Sequence, residues 1–312
     1  MNWSTRVKTI SKNILCSAYK YSGVMAAQEA VTAARGQNGM AILLFHRVTD
    51  VIPPDGLTVS VAKFRGICRM LKKKFHVVSL GELHTLLRNG GPFPRRTVAI
   101  TFDDSYRSNV HAAEILAEHD LPACFFLPPG FIETDRIFHW DEHLPVRLPQ
   151  MSWADTRRLV EMGFEVGAHT VEHPNLASLS WPEARREIIE SKQILEYETG
   201  TAVRWFAYPY GGANHFLPAQ IKLVREAGFE ACFSALCSML YPGQVGEIIP
   251  RESVPYFHSV VNLELHLAGC LHWVYRFKRI FFRQLGKRPG LEVPREEMRL
   301  GFSKRNASAA IG

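Results

Sequence analysis

Short apolar runs, most ending in a polar or ionisable residue and each followed by a helix-patterned stretch, limit this chain to few folds. Ala41–Phe45 runs into His46-Arg47, and Val98-Ala99-Ile100 into Thr101-Phe102-Asp103-Asp104. Ala123–Leu127 precedes a long, irregular, Pro- and aromatic-rich stretch, Pro128–Pro149, of the kind that often carries binding functions. Phe164–Ala168 ends at His169, Trp205-Phe206-Ala207 at Tyr208, and Ile248-Ile249 at Pro250-Arg251. Between them lie helical patterns. In 60–74, Val61, Phe64, Ile67, Cys68 and Leu71 recur at helical spacing. Residues 106–119 place Ala113, Leu116 and Ala117 inward, and 181–199 opens on Ser180 with Pro182 in its first turn. Strands that alternate with helices predict an α/β fold with a parallel sheet. In a barrel of such strands the polar ends converge on one face. An open doubly wound sheet is the alternative, but no Gly-x-Gly-x-x-Gly or Walker loop supports it.

Three segments follow: an N-terminal helical extension (1–39), the α/β unit (40–260) and a basic C-terminal helix and tail (261–312). The formal charge of +7 is concentrated towards the ends. Val7–Ala34 reads as a helix, as does Leu263–Leu285, where Lys278, Arg279 and Arg283 stand among Trp273, Phe277, Phe281 and Phe282. The plainer reading of these segments is packing on the main unit; the sharper one is peripheral contact with an anionic membrane surface. No apolar run is long enough for a membrane span, and Lys8, Lys12 and Lys20 interrupt any secretory core. The expected location is therefore cytoplasmic, or peripheral at the inner membrane face. The basic residues show no nucleic-acid-binding pattern. Six scattered cysteines form no Cys-x-x-Cys pair and read as free thiols.

Asp103-Asp104 is costly at the end of a buried strand. Such charges need a cation, hydrogen-bond donors or a perturbed pKa. One of them, with Ser105, is also a reasonable cap for the next helix. His169-Thr170-Val171-Glu172-His173 supplies His-x-x-x-His, which can share one divalent ion. With 13 histidines in the chain, two exposed loop histidines are the bland alternative. Asp104, His169 and His173 together would make an open carboxylate–imidazole set. Asp103 then stands beside the metal as a natural general base.

Thr101-Phe102-Asp103-Asp104, His169-Thr170-x-x-His173-Pro174 and Phe206-Ala207-Tyr208-Pro209-Tyr210-Gly211, in that order, resemble the motifs of the polysaccharide deacetylases, carbohydrate esterase family 4. The resemblance spans roughly residues 41–255, and Leu43–Val48 resembles a branch whose first strand ends in a histidine. It implies a distorted (β/α) barrel of about seven strands. It implies metal-dependent removal of acetyl groups from N- or O-acetylated sugars of a polysaccharide, oligosaccharide or glycolipid. By motif, Asp103 is the base; Asp104, His169 and His173 are ligands to Zn2+, with Co2+ or Ni2+ also suitable. The Tyr210 N–H helps hold the oxyanion, and Tyr208, Pro209 and Tyr210 line the substrate groove.

Departures from the pattern bear on catalysis. Ala207 stands where many members carry an arginine that pairs with the base; Arg251 is the candidate replacement, and a surface arginine the bland reading. The family's Asp and Trp are missing from Phe233–Leu240. The general acid is either His46 or His266 of Leu263-Glu264-Leu265-His266, or else Asp103 returns its own proton. A carbohydrate-binding or assembly protein with weakened turnover, and a hydrolase of other non-peptide amides, are the competing functions.

Overall fold

The computed structural model describes residues 18–19, 21–243 and 246–269. In chain order its elements are α1 (Val24–Ala34), β1 (Met40–Phe45), β2 (Arg47–Val48), β3 (Thr58–Val59), α2 (Val61–Lys74), β4 (His76–Val77), α3 (Leu80–Asn89), β5 (Thr97–Asp103), α4 (Ser108–Ala117), β6 (Cys124–Leu127), α5 (Trp153–Glu161), β7 (Glu165–Ala168), α6 (Trp181–Thr199), β8 (Trp205–Ala207), α7 (Ile221–Glu226), β9 (Ala231–Phe233), β10 (Ile248–Ile249), β11 (Glu252–Ser253) and α8 (Val260–Leu267).

The main sheet is parallel, in the order β10-β9-β8-β7-β6-β5-β1-β11, with β4 also on β5. Its two edge strands are consecutive in sequence, separated only by Pro250-Arg251. The sheet therefore curls until its ends meet, and the chain itself spans the seam. With Ile248–Ser253 counted as one bent strand and β4 set aside, this is the expected distorted barrel of about seven strands.

Strand alternation sorts the side chains. On β5, Val98, Ile100 and Phe102 pack outward with helix residues such as Phe64, Ile67, Ile115 and Ile188. Ala99 joins an interior cluster with Ile42, Phe126, Trp205, Ala207 and Phe233. The same parity that turns Ala99 inward turns Thr101 and Asp103 inward. Helix α3 adds Leu80 and Leu83 to the interior cluster. Its Leu80 and Gly81 N–H groups donate to the Glu165 carboxylate at the start of β7, at 2.7 and 3.2 Å. The barrel is thus closed where its strands begin and open where they end.

Two helix expectations shift. Helix α4 starts only at Ser108, with Arg107 at its N-cap and no capping side chain. Neither Asp104 nor Ser105 caps it; Ser105 donates to Gln150 Oε1 at 2.8 Å. On α4 the inward residues include Ala112 and Ile115, while Ala117 is exposed. At the N-terminus, α1 begins after Gly23, whose φ of 77° interrupts the expected continuous helix; residues 1–17 lie outside the described residues. So do 270–312, including every basic residue of the expected C-terminal helix. What is described there is α8, whose Leu263 and Leu267 pack into the outer core. No described helix is long and apolar enough to cross a membrane.

Candidate active site

Asp103 closes β5 and is buried against Arg251, which enters from the seam between β10 and β11. Two parallel contacts join them, Nη1 to Oδ1 and Nη2 to Oδ2, both 2.6 Å. Arg251 Nε donates to Ser234 O at 3.1 Å, and Nη1 also lies 3.3 Å from Thr101 Oγ1. Arg251 has no exposed surface. It is not the surface arginine of the bland reading but the fork that fits a carboxylate in two places. Ala207, inside the barrel, has too small a side chain to make this contact, and Arg251 makes it from another strand. Burial alone would raise the Asp103 carboxyl; the Arg251 charge and hydrogen bonds, together with the neighbouring groups, outweigh it and hold the carboxyl below its ordinary value.

Asp104 is the reverse case. Both carboxylate oxygens are buried and accept no hydrogen bond among the described residues. Burial, then the Asp103 and Asp141 charges, push its pKa well above the usual carboxylate range. His173 Nε2 lies 3.5 Å and His169 Nε2 3.9 Å from Asp104 Oδ1. His169 Nδ1 lies 2.8 Å from Ala207 O, so it carries the proton and leaves Nε2 as a lone pair facing Asp104. Burial lowers both imidazoles, so both are neutral near pH 7. One ligand atom from each of the three residues falls within 4.8 Å of the others. An orphaned buried carboxylate facing two neutral imidazoles fits a divalent cation, which would supply the charge and the coordination that the protein does not.

The backbone is bent to build this group. Asp104 (φ 69°), Thr170 (61°), His173 (53°) and Tyr210 (60°) are four of the seven non-glycine residues with positive φ among the described residues. Each such residue costs about 1 kcal/mol or more, a strain that clusters at functional sites. The His169–His173 turn is held by Glu187 of α6, whose carboxylate accepts from Val171 N and Glu172 N at 2.8 and 2.9 Å.

The Tyr208–Gly211 turn is partly as expected. The Tyr210 N–H makes no hydrogen bond among the described residues, and its ring packs 4.8 Å from His173. Gly211, at φ 60°, sits so close to the chain after β9 that a Cβ would lie 2.3 Å from Ala235 N. That contact fixes the turn. Tyr208, however, does not line the groove: it is fully buried in the outer core, stacked on Phe216 at 4.4 Å. Strand alternation sends it to the helix side; Pro209 is also buried and does not line the cleft. Of the three residues only Tyr210 faces the opening.

The opening is a cleft of about 280 Å³, lined by Phe138, His139, Trp140, Glu172, His173 and Tyr210 among others. Most of its aromatic wall comes from the 128–149 stretch. Phe131, Phe138 and Trp140 stack in series, at 4.2 and 4.7 Å. Sequence reasoning identified the stretch as a binding loop but not these residues, nor Tyr106, Arg47 and Glu187; no local pattern marks them.

The two histidines named as acids part ways. His46, at the end of β1, is near enough to Asp103, Arg251 and His169 to feel their charges, and burial lowers it to about 4. His266 is on α8, its Nε2 3.3 Å from Glu252 Oε1 and its ring 4.9 Å from Phe257. Glu252 has the opposite parity to inward Arg251, so His266 lies on the outside of the barrel. The Leu-x-His resemblance is a chance match.

The family profile described as polysaccharide deacetylase matches residues 90–232. A chitooligosaccharide deacetylase of Sinorhizobium fredii is 31% identical over 183 residues, 53% of this chain and 76% of that protein. The chain belongs to the polysaccharide deacetylase family. A peptidoglycan-N-acetylglucosamine deacetylase of Bacillus cereus is 30% identical over 141 residues, 45% of this chain, but this deacetylase-family chain spans only 44% of that protein's length. The fold agrees with IcaB from Ammonifex degensii (TM-score 0.63, 23% identity, 74% of this chain and 97% of that one). It agrees equally with Streptococcus pyogenes PplD (TM-score 0.62, 20% identity, 73% and 97%). Asp103, Asp104, His169, His173 and Tyr210 fall within the profile match; His46 and Arg251 fall outside it.

Proposed function

We propose that the protein hydrolyses the acetamide of N-acetylated amino sugars in an oligosaccharide or polysaccharide, using a divalent ion, zinc first, held by Asp104, His169 and His173. The observation that carries this reading is the juxtaposition of Asp103, ionised on Arg251, with an unsatisfied carboxylate–imidazole set at the foot of an aromatic cleft. The bound ion would polarise the acetyl carbonyl and make water more acidic.

The remaining chemistry belongs to the chain. Asp103, kept charged by Arg251, accepts the proton of the attacking water. Arg251 also holds both carboxylate oxygens in one plane, so the base needs no reorientation. The unpaired Tyr210 N–H donates to the oxyanion as charge develops there. His46 is neutral at the start. The proton that reaches the leaving amine is therefore the one Asp103 has taken, returned directly or by way of His46. The Arg251–Asp103 pair supports turnover over a binding-only role, because it supplies the partner that Ala207 lacks.

The test is acetate release from N-acetylglucosamine oligomers by metal-loaded protein, beside Asp103→Asn and Asp104→Ala. Release lost in both variants is expected. No release from oligomers, with turnover of cyclic imides or ureides instead, would move the reading to other amides. Saccharide binding unchanged in Asp103→Asn, with no hydrolysis by the wild type, would move it to a binding protein.

A further inference from the structure

Trp140 reaches the cleft at the end of a buried polar relay. Its indole Nε1–H donates to Tyr106 Oη at 3.0 Å, and the Tyr106 hydroxyl donates to Asp141 Oδ2 at 2.6 Å. Arg47 Nη1 donates to Asp141 Oδ1, while Nη2 holds Asp55 Oδ2 at 2.9 Å. Asp55 in turn caps the loop before β3, accepting from Leu57 N and Thr58 N at 2.8 and 2.7 Å. Arg47, Tyr106 and Asp141 are 2%, 1% and 6% exposed, whereas Trp140 is half-buried.

Each member sits where the site can feel it. Arg47 follows His46, and Tyr106 is on the turn that begins at Asp104. The Phe131–Phe138–Trp140 stack already fixes the plane of the indole. Stacking alone, however, is met by either face of the ring, so a half-turn about χ2 keeps the plane and exchanges the edges. One hydrogen bond from Nε1 to a hydroxyl that is itself held removes that freedom. A buried Asp141 would be costly beside Asp104 without the Arg47 charge. The relay therefore does more than fill space: it sets which edge of Trp140 meets the cleft.

We propose that Tyr106, Asp141 and Arg47 are positioning residues that hold the Trp140 ring as the wall against which a pyranose ring of the amino-sugar substrate packs. The substrate part of this inference rests on the deacetylase reading; the relay itself does not.

Tyr106→Phe and Trp140→Phe each keep an aromatic ring and remove one member of the relay. With zinc-loaded protein and an N-acetylglucosamine oligomer, each single variant is expected to raise KM about 5-fold, the scale of one net hydrogen bond. kcat and zinc affinity should stay within about twofold, since neither residue is in the reacting set. The double variant should be no worse than the weaker single, because both break one relay. An unchanged KM, a loss confined to kcat, or additive effects would overturn the proposal. Amide exchange across 138–141 reads the relay without substrate and should accelerate in Tyr106→Phe. Unchanged exchange overturns the relay whatever the activity. Accelerated exchange in a protein that hydrolyses no N-acetylated sugar instead overturns the deacetylase reading, and with it the sugar assigned to Trp140.

Discussion

Arg251 and Asp103 meet through two 2.6 Å contacts inside the barrel, although they are 148 residues apart in sequence. One is the last residue of β5; the other lies in the two-residue link where the sheet closes on itself. Closure of the barrel and ionisation of the base therefore depend on the same contact.

Removing the guanidinium should show both effects. Arg251→Met leaves Asp103 buried without its partner, a loss on the order of 3–5 kcal/mol, or forces the carboxyl to take up a proton. Urea unfolding should show the destabilisation, and Arg251→Met/Asp103→Asn should recover part of it. In whatever activity remains, the acidic limb of the pH–rate profile should move to higher pH, because Asp103 then titrates higher. A profile that stays in place would show that Arg251 does not set the state of the base.

Metal should bind in a ratio of one ion per chain and raise stability. At 100 times its dissociation constant the gain is about 2.7 kcal/mol. Chelation should abolish acetate release, and zinc, cobalt or nickel should restore it. Asp104→Ala and His173→Ala should lose the ion in metal analysis while keeping their far-ultraviolet spectra.

The metal-free protein should carry a pH signature of Asp104. Its folded pKa is raised above the unfolded value of about 3.9. The fold then holds that proton more tightly than the unfolded chain does. Stability is lost as pH rises from near 4 through the folded pKa. Asp103, shifted downward, acts in the opposite sense at lower pH. The difference in unfolding free energy between wild type and Asp104→Asn, both metal-free, should fall with rising pH. Zinc should reverse the ranking at pH 7. A constant difference across pH would mean that Asp104 is not desolvated as described.

Glu187 touches no proposed ligand but fixes the turn between two of them. Glu187→Ala should weaken zinc binding by about 10- to 100-fold, the usual cost of losing a partner that orients ligands. Competition with a chromogenic chelator would measure it.

His46 should affect turnover without affecting metal. If the returned proton passes through it, His46→Asn lowers kcat by ~10²-fold or more at unchanged zinc affinity. A kcat within twofold of wild type would leave the direct return from Asp103 as the path.

Sequence alone determined the parallel α/β plan, the strand-end placement of Asp103, Asp104 and His169, and the His-x-x-x-His turn. These are local facts: period-2 and period-3.6 patterns and short spacings survive in one dimension. It also placed Tyr208 in the groove and Asp104-Ser105 at a helix cap, because a motif does not say which way each side chain turns. Only the tertiary structure decided that Arg251, equally readable as a surface residue, is the partner of Asp103. The same holds for Trp140, Tyr106 and Arg47, which form one relay from three separate segments. Such contacts depend on how the sheet curls and where its edges meet. That is set by packing of the whole barrel, and no stretch of sequence near any one of these residues encodes it.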